Sequence, residues 1–371
     1  MDALRLLLMV AAPAGYVSQA PVALMIDTAS GATLHSKNAD RRIPTASMAK
    51  MMSAWVVFEA LKTGEVKAGQ KFQVSDTTWT NWNYRGSSMF LKAREQVSVE
   101  VLLHGMLTLS GNDASVVLAE GVAGSEADFV KRMNAEARKL GMADSHFANA
   151  NGWPDGGQTY STAHDLSLLA TRIIEDHPAL YRQYFGQKSF AWNKVMQPNR
   201  NPLLGAIAGA DGLKTGHSDE AGYCLAGSAE RGGRRVIMVI AGLDSQQGRM
   251  NEARKFMKWG FDAWQARPLF ARGKAVARIP VQLGNDNYVA VVAPRNLATI
   301  LPKGATGHIK LALRYKGPVR APFAKGAELA QLVVTLPDGS RQVLPLVAAK
   351  SVGAAGFFGR AWNGAKSLVG A

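Results

Sequence analysis

The chain of 371 residues is too long for one ordinary core and fits two domains with short extensions. Hydrophobic residues make up 47% and charged residues 19%, which excludes wholesale disorder. A net charge of +15 suits an anionic partner, whether a membrane, an acidic polymer or nucleic acid.

Residues 1–20 are expected to form a secretory signal. Arg5 precedes the apolar run Leu6 to Ala12, which is too short to span a bilayer. Ala12-Pro13-Ala14 and Ser18-Gln19-Ala20 are both candidate small-residue cleavage sites, and a first buried strand is the alternative. Val22 to Asp27 and Ala32 to His35 then flank a Thr-Ala-Ser-Gly turn, the pattern of a hairpin. Pro44 and Thr45 open a long helix to about Leu61, with Gly64 as its stop. Its residues are apolar on nearly every side, which places it in the centre of a domain. Ser125-Glu126-Ala127-Asp128 reads as a capping box for a helix ending near Gly141. Residues 149–161 are rich in Asn, Gly, Asp and Pro and read as a surface loop. Asp165 to about Ile174 is helical. Two strands are expected over 213–227 and 235–242, turning at Glu230 to Gly233, and a closing helix over 251–264. Helices interleaved with strands predict an α/β layered domain over 21–265.

Over 266–348 the pattern changes to a small β domain. Ile309, Leu311, Leu313 and Tyr315 alternate with polar residues or alanine, the period of a half-buried strand, and Pro337-Asp338-Gly339 separates two further strand-like runs. Over 349–371 the helical wheel gathers Phe357, Phe358, Ala361, Trp362, Ala365, Leu368 and Val369 in one arc and Arg360, Asn363, Lys366 and Ser367 in the other. This predicts an amphipathic helix adsorbed on an anionic membrane surface, with docking on the protein's own surface as the alternative.

Three short motifs carry chemistry. Ser47-Met-Ala-Lys50 is the one S-x-x-K in the chain, and at a helix start it puts an amine beside a hydroxyl. Serine needs a neighbouring base, and a lysine can serve if burial or a second cation keeps it neutral. Ser110-Gly-Asn112 falls between two helical runs, where a hydroxyl and an amide can relay a proton and hold a substrate amide. Lys214-Thr215-Gly216 lies on an expected strand, where glycine admits an extended ligand to the strand edge and the two polar side chains can bind a carboxylate. Each motif alone is weak. Ser36-Lys-Asn38 and Lys62-Thr-Gly64 match by chance, in a polar turn and at a helix end. The ordered set is far more specific.

That set resembles the active-site serine penicillin-binding proteins and class A β-lactamases. The longer strings 44–52, 86–91, 109–114 and 211–218 resemble the low-molecular-mass D-alanyl-D-alanine carboxypeptidases among them. The resemblance implies a β-lactamase/transpeptidase-like fold, an antiparallel sheet flanked by helices, with the β domain and amphipathic tail. It implies a periplasmic enzyme on the outer face of the cytoplasmic membrane, acting on peptidoglycan stem peptides ending in D-Ala–D-Ala and acylated by β-lactams. Ser47 is then the nucleophile, Lys50 its base and Ser110 the proton relay to the leaving amine. Asn112 holds the acyl chain, and Lys214, Thr215 and Arg249 bind the carboxylate. Gly216 lines the strand edge, and the oxyanion hole is formed by the N–H groups of Ser47 and His217. Arg200 has a counterpart in the family without an assigned role.

No cofactor is implied, and no histidine pair has the H-E-x-x-H spacing of a metal site. The single cysteine, Cys224, reads as a small buried residue. A β-lactamase is the alternative hydrolase, but no glutamate between the second and third motifs has the E-x-x-x-N setting. A non-catalytic peptidoglycan-binding module is the alternative outside enzymes. Nucleic-acid binding rests on charge alone, without a recognisable module.

Overall fold

The structure is a computed structural model that describes residues 15–356. The chain forms two compact units, which among the described residues comprise 16–26 with 35–261, and 15 and 27–34 with 262–356.

The larger unit carries most of a five-stranded sheet. Its strands are β1 (Val22–Asp27), β2 (Ala32–Lys37), β3 (Ala210–Ser218), β4 (Gly222–Arg231) and β5 (Arg234–Leu243), in the order β2-β1-β5-β4-β3. β3, β4 and β5 run antiparallel. Val236 to Ala241 in β5 are buried at every position, so both faces of the sheet centre are covered. The expected strand over 213–227 is in fact two. Asp219-Glu220-Ala221 breaks it, and Gly222 takes a φ of 62°, the left-handed conformation that lets the chain reverse. The reversal makes β3 an edge strand, so one side of the Lys214-Thr215-Gly216 backbone is left without a sheet partner.

The helices used below are α1 (Lys50–Thr63), α2 (Val99–Thr108), α3 (Asn112–Ala123), α4 (Glu126–Leu140), α5 (Ala163–Asp176) and α6 (Gln246–Asp262). α1 is buried along most of its length and stops at Gly64, whose φ is 78°. It begins later than expected, because Ala46–Ala49 form a 3-10 turn first. Ser125 caps α4 by accepting from the Asp128 N–H at 3.0 Å. α6 starts at Gln246 and ends at Asp262, a few residues ahead of expectation at its start and short of Trp264 at its end.

Tyr16, Ser18 and Ala20, expected within the signal, pack into this unit. Tyr16 stacks on Phe256 at 4.8 Å, Ser18 Oγ donates to Glu252 Oε1 at 2.6 Å, and Lys37 Nζ donates to the Ser18 carbonyl at 2.9 Å. Ser18 and Ala20 are buried.

The smaller unit is all β after the end of α6. Its strands are β6 (Trp264–Phe270), β7 (Ala275–Gln282), β8 (Tyr288–Val292), β9 (Leu297–Pro302), β10 (Lys310–Arg314), β11 (Val319–Arg320), β12 (Glu328–Thr335) and β13 (Arg341–Ala348). β6 pairs with β9, and the others form a sheet in the order β10-β12-β13-β8-β7-β11. β12 and β13 flank the Pro337-Asp338-Gly339 turn as expected. The alternation over 309–315 does mark a strand, but not a half-buried one. β10 is at the sheet edge, and Leu311 and Tyr315 are 45% and 39% exposed.

The boundary expected at residue 349 also shifts. Residues 349–356 are not helical. Val352 bridges Phe323, Ala354 bridges Gly284, and the Ala355 N–H donates to the Leu283 carbonyl at 2.8 Å. Buried Val352 belongs to the β unit. The amphipathic pattern from Phe357 onward lies outside the described residues. Among the described residues no helix is long and apolar enough to cross a membrane.

Candidate active site

Ser47 sits in the 3-10 turn that leads into α1. In such a turn residues i and i+3 eclipse, so Ser47 and Lys50 project together. Ala46 holds a φ of 43°, a strained conformation for a residue with a Cβ and of the kind that gathers at functional sites. Gly152 closes over this turn. A Cβ there would lie 1.8 Å from the Ala46 carbonyl oxygen.

Lys50 is fully buried. Its Nζ lies 2.9 Å from Ser47 Oγ, 2.8 Å from Asn112 Oδ1 and 2.6 Å from the Asn151 carbonyl. Burial drives its pKa well below the ordinary lysine value, and Lys214 and then Arg200 push the same way against Asp113. A neutral amine has two N–H groups and one lone pair. The two carbonyl oxygens can only accept, so they take the N–H groups. The lone pair is left facing the Ser47 hydroxyl, the orientation a general base needs.

Ser110 lies in the tight connection between α2 and α3, with a φ of 66°, and Asn112 is the first residue of α3. Asp113 fixes the neighbouring loop to α3. Its carboxylate accepts from Ser88 Oγ at 2.7 Å, the Met89 N–H at 3.0 Å and the Leu91 N–H at 3.2 Å. The Asn112 N–H donates to the Ser87 carbonyl at 2.8 Å.

Lys214 comes from the edge strand β3. Its Nζ donates to Ser110 Oγ at 3.0 Å and to the Thr215 carbonyl at 3.1 Å. Burial lowers its pKa to about 7, helped by Arg200 and Arg249. Gly216 packs against the helix entry so closely that a Cβ would lie 2.9 Å from the Thr45 carbonyl oxygen. The start of β3 is anchored from below. Tyr181 Oη and Arg235 Nη1 both donate to the Asp211 carboxylate at 2.7 Å. Arg249, on α6, is buried and donates from Nη1 to the Gly216 carbonyl at 3.2 Å. Its Nε has no hydrogen-bond partner among the described residues.

A cleft of about 600 Å³ opens between these elements. Of the nine site residues expected from sequence, Ser47, Ser110, Asn112, Thr215, Gly216, His217 and Arg249 line it. Lys50 and Lys214 lie behind its wall and reach it through Ser47 and Ser110. The two chance matches, Ser36-Lys-Asn38 and Lys62-Thr-Gly64, do not line it.

Three contributors were not legible as such. Arg200, without a role in the sequence reading, lines the cleft, donates from Nη1 to Ser87 Oγ at 2.5 Å and disfavours the protonated forms of both lysines. Asn151 supplies the carbonyl that fixes Lys50, and its buried Nδ2 has no partner among the described residues. It lies in the segment read as a surface loop. That reading needs correction, because Ala150 and Asn151 are wholly buried. Asn149 Oδ1 turns the segment inward by accepting from the Gly152 N–H at 2.7 Å and the Trp153 N–H at 3.1 Å. The Asn-rich composition that suggested exposure is the material of this internal turn. Tyr223 also lines the cleft, beneath the Arg249 guanidinium at 5.4 Å. Cys224 is buried as expected, and burial pushes its thiol up to about 11, away from reactivity.

A serine paired with a buried lysine, opposite an edge strand carrying a second lysine, defines the class of serine acyl-transfer sites that work without histidine. Within that class, residues 9–245 match the family model of D-alanyl-D-alanine carboxypeptidases, and residues 264–354 match that of the penicillin-binding protein 5 C-terminal domain. The chain belongs to the D-alanyl-D-alanine carboxypeptidase family. It is 36% identical to D-alanyl-D-alanine carboxypeptidase DacC of Escherichia coli (strain K12), over 92% of this chain and 86% of that one. Penicillin-binding protein 5 of Haemophilus influenzae superposes with a TM-score of 0.81 at 33% identity, covering 92% of this chain and 99% of that one. Penicillin-binding protein D2 of Listeria monocytogenes in its cefotaxime-bound form gives 0.61 at 35% identity, covering 67% and 100%.

Proposed function

We propose that the protein is a serine D-Ala–D-Ala carboxypeptidase that removes the terminal D-alanine from peptidoglycan stem peptides. The observation that carries this is the Lys50 amine, 2.9 Å from Ser47 Oγ with carbonyl oxygens on its other two sides. Ser47 Oγ attacks the carbonyl of the penultimate residue while Lys50 Nζ takes its proton. The backbone N–H groups of Ser47 and His217 hold the oxyanion. Ser110 passes a proton to the leaving amine, the C–N bond breaks and D-alanine departs. Water, activated by Lys50, then hydrolyses the ester and frees Ser47. Asn112 holds the acyl chain, Gly216 admits it to the strand edge, and Lys214, Thr215 and Arg249 bind the terminal carboxylate. This last grouping fits the buried positive charge around Gly216.

β-Lactams are covalent inhibitors in this reading, and fast turnover of them is disfavoured. Asp219 is the one carboxylate among the described residues lining the cleft, and no glutamate is there to activate a deacylating water. A purely binding role would give no reason for the lysine–serine geometry. The protein acts outside the cytoplasmic membrane, held to its anionic surface by the amphipathic stretch at the C-terminal end. Of the two signal cleavage sites, Ala12-Pro13-Ala14 is the better fit, because a cut after Ala20 would strip Ser18 from Glu252.

Incubation with a D-Ala–D-Ala pentapeptide tests the reading. Free D-alanine should accumulate well ahead of cross-linked product, and Ser47→Ala should release none. Binding of the peptide without release of D-alanine would leave only a binding module.

A further inference from the structure

Beside Asn112, the loop before Ser87 carries a cation that the catalytic scheme does not use. The Arg85 guanidinium carbon lies 4.8 Å from the centre of the Trp153 ring and 5.5 Å from that of Trp82. The two indoles themselves meet edge to face at 5.4 Å. A guanidinium held against two rings is ordered before a ligand arrives, and its planar N–H fork matches a carboxylate. Arg85 is exposed, and among the described residues no carboxylate pairs with it. The other loop arginine, Arg94, is taken up by Asp76 at 2.9 Å.

This corner is continuous with the catalytic cleft. Gly86 and Trp153 line the cleft, and a Cβ on Gly86 would lie 2.8 Å from the Trp153 ring and 3.0 Å from Asn112 Nδ2. Asn112 Nδ2 donates to the Arg85 carbonyl at 3.3 Å. Arg85 is therefore one hydrogen bond from the side chain assigned to the acyl chain. Arg249, assigned to the terminal carboxylate, is bonded instead to Gly216 on β3. Arg85 and Arg249 are thus tied to different walls, and Arg200, held on Ser87, lines the cleft as a third arginine.

We propose that Arg85, ordered by Trp82 and Trp153, is a specificity residue that pairs with a free carboxylate on the peptide upstream of the scissile bond. The proposal rests on the carboxypeptidase reading and names what part of an anionic stem peptide it selects. It adds no chemical step.

Two synthetic peptides ending in D-Ala–D-Ala test it, identical except that the upstream carboxylate is free in one and amidated in the other. D-Alanine release should favour the free carboxylate in kcat/KM by roughly fivefold in the wild type. Arg85→Gln should bring that ratio to about one, and Arg85→Lys should restore part of it. Because both peptides are measured on the same preparation, a misfolded fraction cancels in the ratio. No preference in the wild type, or an unchanged preference in Arg85→Gln, overturns the proposal while the carboxypeptidase reading stands. Release from neither peptide overturns the carboxypeptidase reading and this one with it.

Discussion

Lys214 Nζ and Ser110 Oγ are 3.0 Å apart, and this contact ties the edge strand to the turn between α2 and α3. Lys50 makes the corresponding contact with Ser47, so each buried amine is paired with one serine. The two pairs carry opposite requirements. Lys50 must be neutral to take a proton, whereas Lys214 binds carboxylate best as an ammonium.

A bell-shaped pH profile is the expected consequence. Activity should rise as the Lys50 ammonium loses its proton, because the base form is the active one. It should fall as pH passes about 7, where Lys214 gives up its charge. The amines act on each other, so the two limbs report the pair. Lys214→Arg should keep the acid limb and remove the alkaline fall near neutrality, because a guanidinium stays charged. A kcat/KM profile in which that fall persists unchanged would exclude Lys214 as its source.

Ser110→Ala should slow D-alanine release by about 10²–10⁴-fold, the usual contribution of a positioned proton relay. Thermal melting should move little, because the lost hydroxyl leaves Lys214 its carbonyl partner on Thr215. Stopped-flow acylation and calorimetry on the same variant separate the two effects. A large fall in Tm with an unaltered rate would make Ser110 a structural residue.

Gly152→Ala is expected to damage the nucleophile without touching it. The added Cβ meets the Ala46 carbonyl at 1.8 Å, and the φ of 74° is itself unfavourable for alanine. The turn holding Ser47 must move. We expect a loss of roughly 2 kcal/mol or more in urea unfolding together with slower acylation. Wild-type values for both would mean that the loop does not constrain the turn.

Asp113→Ala should destabilise the wall of the cleft. It leaves Ser88 Oγ and the Met89 and Leu91 N–H groups without their acceptor. Each buried donor left unpaired costs about 1–3 kcal/mol, so the total should reach roughly 3 kcal/mol. Amide hydrogen exchange over 87–91 should rise first. Unchanged protection there would show that the loop is held by other contacts.

What the sequence made legible was local. Apolar runs, strand alternation and cap and turn residues located the hairpin, α1, α4, α5 and the β-rich unit. The ordered motifs picked out Ser47, Lys50, Ser110, Asn112 and Lys214, which the structure brings together. What stayed hidden depends on distant partners. Leu311 and Tyr315 alternate like a half-buried strand, but burial requires a covering layer that an edge strand lacks. Asn151 is polar and loop-like by composition, yet it is buried because Lys50, 101 residues away, uses its carbonyl. Arg200 has a counterpart in the family, but nothing in the residues around it shows its role. Its role follows from the charges on Lys50 and Lys214, which only the folded chain brings near it.

The most direct test of the central claim is intact-mass spectrometry after exposure to penicillin, with peptide mapping of the adduct. The wild type should gain one stable acyl group on Ser47, Lys50→Ala should acquire it about 10²–10⁴-fold more slowly, and Ser47→Ala should acquire none. An adduct that survives Ser47→Ala, or forms as fast in Lys50→Ala, would contradict a serine activated by a buried neutral lysine.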